Sequence, residues 1–195
     1  MQRKTELQHR EYKNKILNFF ENIFVLKNLY RQGWVKYWNV DENKCESVGD
    51  HIFSMSVMSY IFAKEYRPDL DADKVLRIAM FHDLPEAIMG DIPAMDNYPK
   101  EKKQELENEA LKTLFAGLKN EEHFKNLCTE YVDNKSEEVK FVKQIDKIEF
   151  LIQSFFYQNH GIGKMDFERF EKYANEWIID KEVKDILEEI RNYKT

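Results

Sequence analysis

The segment Met80–Ile92 contains four side chains that could do chemistry together. They lie within a stretch of ten residues and are His82, Asp83, Glu86 and Asp91. Methionines and isoleucines surround them, so the segment resembles part of a core. Buried carboxylates that lie close together repel one another and lose hydration, so they require a proton or a cation. A divalent metal ion is the simplest compensation, and an imidazole with carboxylates suits Mn²⁺, Co²⁺, Fe²⁺ or Zn²⁺. Because two ligands that are adjacent in the sequence leave most of the ion's coordination positions open, other segments of the chain must supply further ligands.

Two other polar residues lie inside apolar helical patterns. His51 lies one turn before Met55 in an apolar run, and Asp146 lies in the segment 139-VKFVKQIDKIEFLIQ-153. Both have ordinary explanations that stay open. A helical histidine is usually a hydrogen-bonded core or surface residue, and Asp146 can pair with Lys143, one turn earlier on its own helix.

The elements that must position these residues are helices. We find no alternating strand pattern of useful length and no repeat, and the chain contains only 6 glycines and 4 prolines. We therefore predict an all-α fold. Because 195 residues suit one domain with a sizeable core, we expect a single-domain helical bundle over 1–195. Its core should cover about 30–157, with C-terminal helices within 166–193 as packing or an oligomer extension.

Helical periodicity and terminating residues predict the individual helices. Gly33 is expected to end a first helix over 7–30, and a loop with Trp34 and Trp38 should follow. Pro85 removes one backbone donor and should interrupt a helix before Gly90 ends it. The other predicted helices cover 47–66, 73–81, 99–118, 121–131, 136–159, 167–178 and 183–193, with Ser47 and Asp50 as a capping pair for the first of these.

Composition restricts the partners and the compartment. The chain has 30 Lys and Arg against 36 Asp and Glu, a net charge of −6, which disfavours a sequence-independent grip on nucleic-acid phosphates but allows a small anionic ligand. Cys45 and Cys128 lie far apart in the sequence and without metal-ligand spacing, so they imply neither a disulfide framework nor a zinc ribbon. The charged N-terminus and the absence of a run of about 18 apolar residues disfavour export and a membrane span. We expect a cytoplasmic protein without nucleic-acid or membrane partners.

The order of four polar residues, each inside a predicted helix, resembles the pattern of the HD-domain metal-dependent phosphohydrolases: His51, His82, Asp83 and Asp146. Three longer strings are similar to the branch that contains the 5′-deoxynucleotidases: 46-ESVGDH-51, 82-HDLPEAIMGDIP-93 and 141-FVKQIDKIE-149. The resemblance covers roughly 30–157. It implies an HD-type bundle in which the four residues bind one divalent ion (Mn, Co, Fe, Zn or Mg), with water at the remaining positions.

The resemblance also implies roles for four further residues. An ion at this site would attract a phosphate oxygen and acidify a water, while Glu86 and Asp91 would handle protons as acid and base in an unassigned order, or act as hydrogen-bonded tethers. Members of this branch place an arginine and then a tryptophan before the first ligand histidine, where this chain has 31-RQGW-34. Arg31 is expected to bind phosphate. Trp34 is expected to pack on the sugar or base, or else to pack the helix junction.

We therefore expect a metal-dependent phosphomonoesterase that acts on nucleoside 5′-monophosphates, with deoxyribonucleotides favoured. A mononuclear site is expected because the remaining histidines fall in polar or terminal segments. Two alternatives stay open: hydrolysis of another small phosphate ester or nucleotide derivative, and a non-catalytic, metal-stabilised binding or scaffold protein. Glu86 and Asp91 favour chemistry, because a purely structural ion needs neither. A homodimer is expected from the family alone.

Overall fold

The secondary structure is helical throughout the part of the chain that the computed structural model describes, which comprises residues 12–166, 168–170, 172, 176 and 178–192. Strand pairing within these residues is limited to a single bridge between Tyr30 and Ser47. The predicted all-α class is confirmed. Half of the residues of the helix predicted over 167–178 lie outside the described ranges, and residues 168–170 within it are helical. The first residues of the helix predicted over 7–30 also lie outside these ranges.

Nine α-helices with described bounds and one 3₁₀ turn follow one another along the chain, and residues 168–170 are also helical. They are α1 (Lys15–Leu26), α2 (Gln32–Trp38), α3 (Val48–Tyr66), α4 (Ala72–Phe81), α5 (Glu86–Met89), the 3₁₀ turn (Ala94–Asp96), α6 (Lys100–Leu114), α7 (Glu121–Asp133), α8 (Glu137–Asn159) and α9 (Lys181–Asn192).

Local capping determines where the two longest helices begin. At the start of α3, the Ser47 side chain accepts a hydrogen bond from the Asp50 N–H at 3.1 Å, and the Asp50 carboxylate accepts one from the Ser47 N–H at 2.8 Å. This capping box confirms the predicted pair. The Ser136 side chain caps α8 through the Val139 N–H. These caps set the register of both helices, and so the faces that carry their polar residues.

The segment between α1 and α3 differs from the prediction. Residues 32–38 form a helix instead of a loop, and Gly33 does not end one. The helix ends at Asn39, whose left-handed backbone (φ 54°) lets its N–H donate to the Trp34 carbonyl. Trp34 and Trp38 lie one turn apart and are both buried. The prediction was wrong because burial of these two rings favours a helix that the local sequence only weakly encodes.

A turn between α4 and α5 carries the histidine and aspartate of the opening segment. Helix α4 ends at Phe81 and residues 82–85 form a turn, in which Pro85, which lacks an N–H, precedes the single turn of α5. Gly90, at φ 85°, ends α5, as predicted. Glu86 is therefore the first residue of α5, and Asp91 follows its end. Both residues are held a short distance from the His82–Asp83 turn.

Helices α3, α4 and α8 contact one another in the centre of the fold. The larger group of buried apolar side chains joins them to α2 and α9 and includes Trp34, Met55, Ile78, Ile145, Ile148, Val183 and Leu187. A second group lies beside α1, α5, α6 and α7 and includes Leu26, Leu29, Leu114 and Phe115. Because the three central helices meet side by side, polar residues on their facing sides come close together. No helix in the described ranges is both long enough and apolar enough to cross a bilayer.

Candidate metal centre

The central helices bring the four predicted ligands to one place. His51 comes from α3, His82 and Asp83 from the turn after α4, and Asp146 from α8. The Asp83 Oδ2 atom lies 3.1 Å from His82 Nε2 and 3.6 Å from His51 Nε2. Asp146 Oδ1 lies 3.5 Å from His51 Nε2. Ligands at about 2.1 Å from a shared ion lie roughly 3.0–3.5 Å from one another. His51, His82 and Asp83 therefore lie close enough together to bind one divalent cation, and Asp146 lies beside His51.

The protonation of both histidines suits metal binding. His82 Nδ1 lies 2.8 Å from the Ala79 carbonyl oxygen, and His51 Nδ1 lies 2.8 Å from Glu149 Oε2. Because these oxygens accept, each Nδ1 carries the hydrogen, and in the neutral ring Nε2 then carries the lone pair. Both Nε2 atoms are buried and make no well-oriented hydrogen bond to a described residue, although Asp83 Oδ2 lies 3.1 Å from that of His82. A buried, unpaired nitrogen costs free energy unless something binds it.

Asp83 and Asp146 remain ionised at neutral pH. Burial raises the pKa of Asp83, but His82 and Arg31 outweigh it and hold that pKa well below its usual range. Burial also opposes ionisation of Asp146, yet Lys147 and His51 keep its pKa well below the usual value. Ionised carboxylates are the form that ligates a metal. Both acids are therefore ready to accept a cation without first losing a proton.

Glu86 differs from these two acids. Burial raises its pKa well above the usual range, and the nearby charges of Asp83 and Asp91 raise it further. Its Oε2 atom is buried and makes no hydrogen bond to any described residue. The raised pKa favours the protonated form of Glu86, so carboxyl groups with different proton affinities face the same site.

Arg31 and Asp91 complete the charged end of the site. Arg31 Nη1 lies 3.4 Å from Asp83 Oδ2 and 3.8 Å from Asp91 Oδ1. The second oxygen of Asp91 accepts a hydrogen bond from the Gln32 N–H at 2.5 Å. Asp91 therefore fixes both the Arg31 guanidinium and the first backbone N–H of α2. The structure places Arg31 beside the predicted ligands, where it could contact a bound anion.

Of the two roles predicted for Trp34, the structure mainly supports packing of the helix junction. Its side chain is buried, and its ring stacks on Phe150 with centroids 4.5 Å apart. The ring also meets Tyr157 edge to face at 5.2 Å. The indole N–H donates to Glu46 Oε1 at 2.7 Å. One edge of Trp34 still lines the cavity described below, so packing of the helix junction and contact with a ligand are compatible.

Sequence reasoning missed Lys147 and the part played by Tyr131. Lys147 Nζ lies 2.6 Å from Asp146 Oδ2, whereas Lys143, which we considered as the partner of Asp146, lies with its Nζ 5.0 Å above the Tyr131 ring. The Tyr131 hydroxyl lies 3.4 Å from Asp146 Oδ2, and its ring centroid lies 5.0 Å from that of His82. Two lysines flank Asp146 in the sequence, and no local pattern shows which one reaches it.

A cavity of about 650 Å³ opens onto the site. Its lining includes the predicted site residues His82, Asp83, Glu86, Asp91, Asp146 and Arg31, the cationic side chains of Lys103, Lys147, Arg169 and Lys172, and the aromatic and apolar side chains of Tyr37, Trp38, Met95 and Phe150. This volume is typical of small-molecule sites. The lining therefore offers cationic groups to an anion and aromatic or apolar surface to a flat group.

Comparison with known proteins points to one family. The family model described as HD domain matches residues 24–187. A mouse (Mus musculus) protein named 5′-deoxynucleotidase HDDC2 is 39% identical over 146 residues, which cover 74% of this chain and 70% of the relative. The 5′-deoxynucleotidase hdd1 of Schizosaccharomyces pombe is 33% identical over 161 residues, covering 80% and 78%. The crystal structure of PH0347 protein from Pyrococcus horikoshii matches with a TM-score of 0.72 and 27% identity, covering 92% of this chain and 98% of that one.

Proposed function

From the premise that the chain belongs to the HD domain family, we propose that it hydrolyses nucleoside 5′-monophosphates, preferentially deoxyribonucleoside 5′-monophosphates, to nucleoside and phosphate. The observation that carries the proposal is the convergence of His51, His82, Asp83 and Asp146 beside Arg31, Glu86 and Asp91 in one cavity. The relatives named 5′-deoxynucleotidase, at 39% and 33% identity, support the substrate class.

The proposed cofactor is one divalent ion (Mn, Co, Fe, Zn or Mg) held by His51, His82, Asp83 and Asp146. When bound, such an ion polarises a water and a phosphoryl oxygen. Two neutral imidazoles and two carboxylates carry a charge of −2, so the ligands and a divalent ion are formally neutral together. The neutral site leaves the attraction of the phosphate to the cationic side chains that line the cavity, among which Arg31 lies 3.4 Å from Asp83.

Arg31 binds and orients the phosphate. The guanidinium has five N–H donors in a rigid fork, so it can keep its contact with Asp91 and offer other donors to phosphate oxygens. Its side chain is only 19% exposed, and Asp83 and Asp91 hold it in place. Little side-chain freedom is therefore lost when the substrate binds.

Glu86 supplies the proton that the departing nucleoside oxygen needs. Burial and the charges of Asp83 and Asp91 raise its pKa, which favours the protonated carboxyl group that a general acid requires. Asp91 is tied to the Gln32 N–H and to Arg31, so it acts mainly by positioning Arg31. The aromatic side chains of the cavity lining, such as Tyr37 and Trp38, receive the sugar and base.

Release of inorganic phosphate tests the proposal. The purified protein, loaded with Mn²⁺ or Co²⁺, should release phosphate from deoxyribonucleoside 5′-monophosphates faster than from the matching ribonucleotides, and elemental analysis should find one bound ion per chain. If phosphate were released only from another small phosphate ester or nucleotide derivative, the protein would be a hydrolase of that compound instead. A metal-dependent rise in Tm without release from any phosphomonoester would favour the scaffold alternative.

Substitution of Arg31 should separate a forked contact from a simple positive charge. Arg31→Ala is expected to lower kcat/KM by roughly 10²–10³, and Arg31→Lys should recover only part of this loss, because an ammonium cannot form the paired hydrogen bonds. Steady-state kinetics with a deoxyribonucleotide measure both effects.

The matched control for Arg31→Lys is Arg67→Lys. The Arg67 side chain is also 19% exposed and pairs with two carboxylates, those of Asp69 and Asp180, away from the cavity. Arg67→Lys should leave kcat/KM unchanged, although it can lower Tm. Wild-type kinetics in Arg31→Lys would contradict the role given to the guanidinium.

We also propose a cytoplasmic location and a homodimer. The lack of a helix that could cross a membrane within the described ranges is compatible with the first. Large apolar side chains exposed on α1 and α3, among them Phe20, Phe24, Phe53 and Ile61, are compatible with the second. Sedimentation of the purified protein measures the assembly directly.

A further inference from the structure

The two histidines of the candidate metal centre are held in different ways. His82 Nδ1 donates to the Ala79 carbonyl, a main-chain group of its own helix. His51 Nδ1 donates to Glu149, a side chain 98 residues away on α8. Both distances are 2.8 Å. Side-chain substitution cannot remove the main-chain acceptor of His82, whereas a single substitution removes that of His51.

Glu149 is itself held firmly. It lies one turn after Asp146 on α8 and is 3% exposed. While Oε2 accepts from His51, Oε1 lies 2.8 Å from the Ser54 hydroxyl, which is placed to donate to it. Ser54 lies one turn after His51 on α3, so the carboxylate spans two successive turns of that helix. The His51 ring therefore has little freedom to rotate.

A carboxylate also changes the chemistry of the ring that it holds. A hydrogen bond to an ionised acceptor is stronger than one to a neutral carbonyl. Withdrawal of the Nδ1 hydrogen toward the carboxylate increases the electron density at Nε2, the atom that faces Asp83 and Asp146. Of the two histidines, His51 should therefore be the more basic ligand.

We propose that Glu149 is a positioning residue for the metal ligand His51, whose tautomer and ring orientation it fixes. The inference rests on the proposed metal site and not on the identity of the substrate. Glu46 also lies near His51 and Glu149. Since the His51 Nδ1 hydrogen already occupies the space between ring and Glu149 carboxylate, and Glu46 accepts from the Trp34 indole N–H, these three residues do not form a second ion site.

Binding of Mn²⁺ to the metal-free protein tests the proposal. Titration calorimetry should give a Kd about tenfold higher for Glu149→Gln, which keeps an acceptor oxygen but loses the charge, and about 10–100-fold higher for Glu149→Ala. Elemental analysis should find one ion per chain. The near-isosteric Gln variant serves as the test if Glu149→Ala does not fold.

Gln144→Ala provides the matched control. Gln144 lies on the same helix, is also 3% exposed, and accepts hydrogen bonds from the Ile179 and Asp180 N–H groups, away from the metal centre. This variant should lower Tm without changing the Kd for Mn²⁺. Weakened Mn²⁺ binding in Glu149→Gln supports the inference even if no phosphomonoester is hydrolysed. A wild-type Kd in both Glu149 variants, an equal loss in Gln144→Ala, or two ions per chain would overturn it.

Discussion

Asp83→Asn is expected to reduce phosphate release by at least about 10³-fold and to abolish the rise in Tm that Mn²⁺ produces. Asp83 Oδ2 lies at the centre of the site, 3.1 Å from His82 Nε2 and 3.4 Å from Arg31 Nη1. Asparagine keeps the shape of the side chain but removes the charge that holds a cation. Phosphate release at saturating Mn²⁺ and the Mn²⁺ content of the purified protein measure the two effects.

Asp73→Asn is the control for this substitution, because Asp73 is an exposed aspartate in the first turn of α4, the helix that leads to Asp83. It should retain wild-type activity and metal content. If Asp83→Asn kept both a bound ion and more than about a tenth of the activity, Asp83 could not be a ligand on which the reaction depends.

Glu86→Gln is expected to have opposite effects on catalysis and stability. Loss of the proton donor should lower kcat by roughly 10²–10³. The metal-free protein should nevertheless melt about 2–4 °C higher near pH 8, the shift that about 1 kcal/mol produces in a chain of this size. Glutamine is neutral at every pH, so it avoids the cost that a buried glutamate incurs above its ordinary pKa.

The sign of the pH dependence follows from the raised pKa of Glu86. The unfolded chain loses this proton near the ordinary pKa of 4.5, whereas the folded chain keeps it to higher pH. Folding therefore takes up a proton above that value, and the wild-type protein loses stability as the pH rises toward the folded pKa.

The Tm advantage of Glu86→Gln should accordingly be small at pH 5 and larger at pH 8, measured by thermal melts with a chelator present. An equal difference at both pH values would show that Glu86 does not retain its proton on folding. Full activity in the variant would remove Glu86 from the reaction.

The predictions from sequence succeeded where a local cause determines the structure. The Ser47–Asp50 pair and Ser136 mark the starts of α3 and α8, and Pro85 with Gly90 delimits α5, because caps and backbone restrictions act within a few residues. Helix α2 was missed because its two tryptophans are buried only by tertiary packing.

In the candidate site, too, the features with a local cause could be predicted and those that depend on tertiary packing could not. The positions of His51 and Asp146 on apolar helices are visible in the sequence, but which lysine reaches Asp146 depends on how two long side chains settle in the assembled site. The pairing of His51 with Glu149 spans 98 residues. A buried glutamate one turn after Asp146 is a detectable signal, but its partner is determined only when α3 packs against α8.

Asp91 has a consequence that reaches beyond the reaction. One of its oxygens holds the first N–H of α2 and the other lies beside the guanidinium of Arg31. Replacement of this single residue would therefore be pleiotropic, since it would fray the start of a helix and misplace a phosphate-binding group at once. Position 91 is therefore under two separate constraints, one from the start of α2 and one from Arg31, and a substitution there would have to satisfy both.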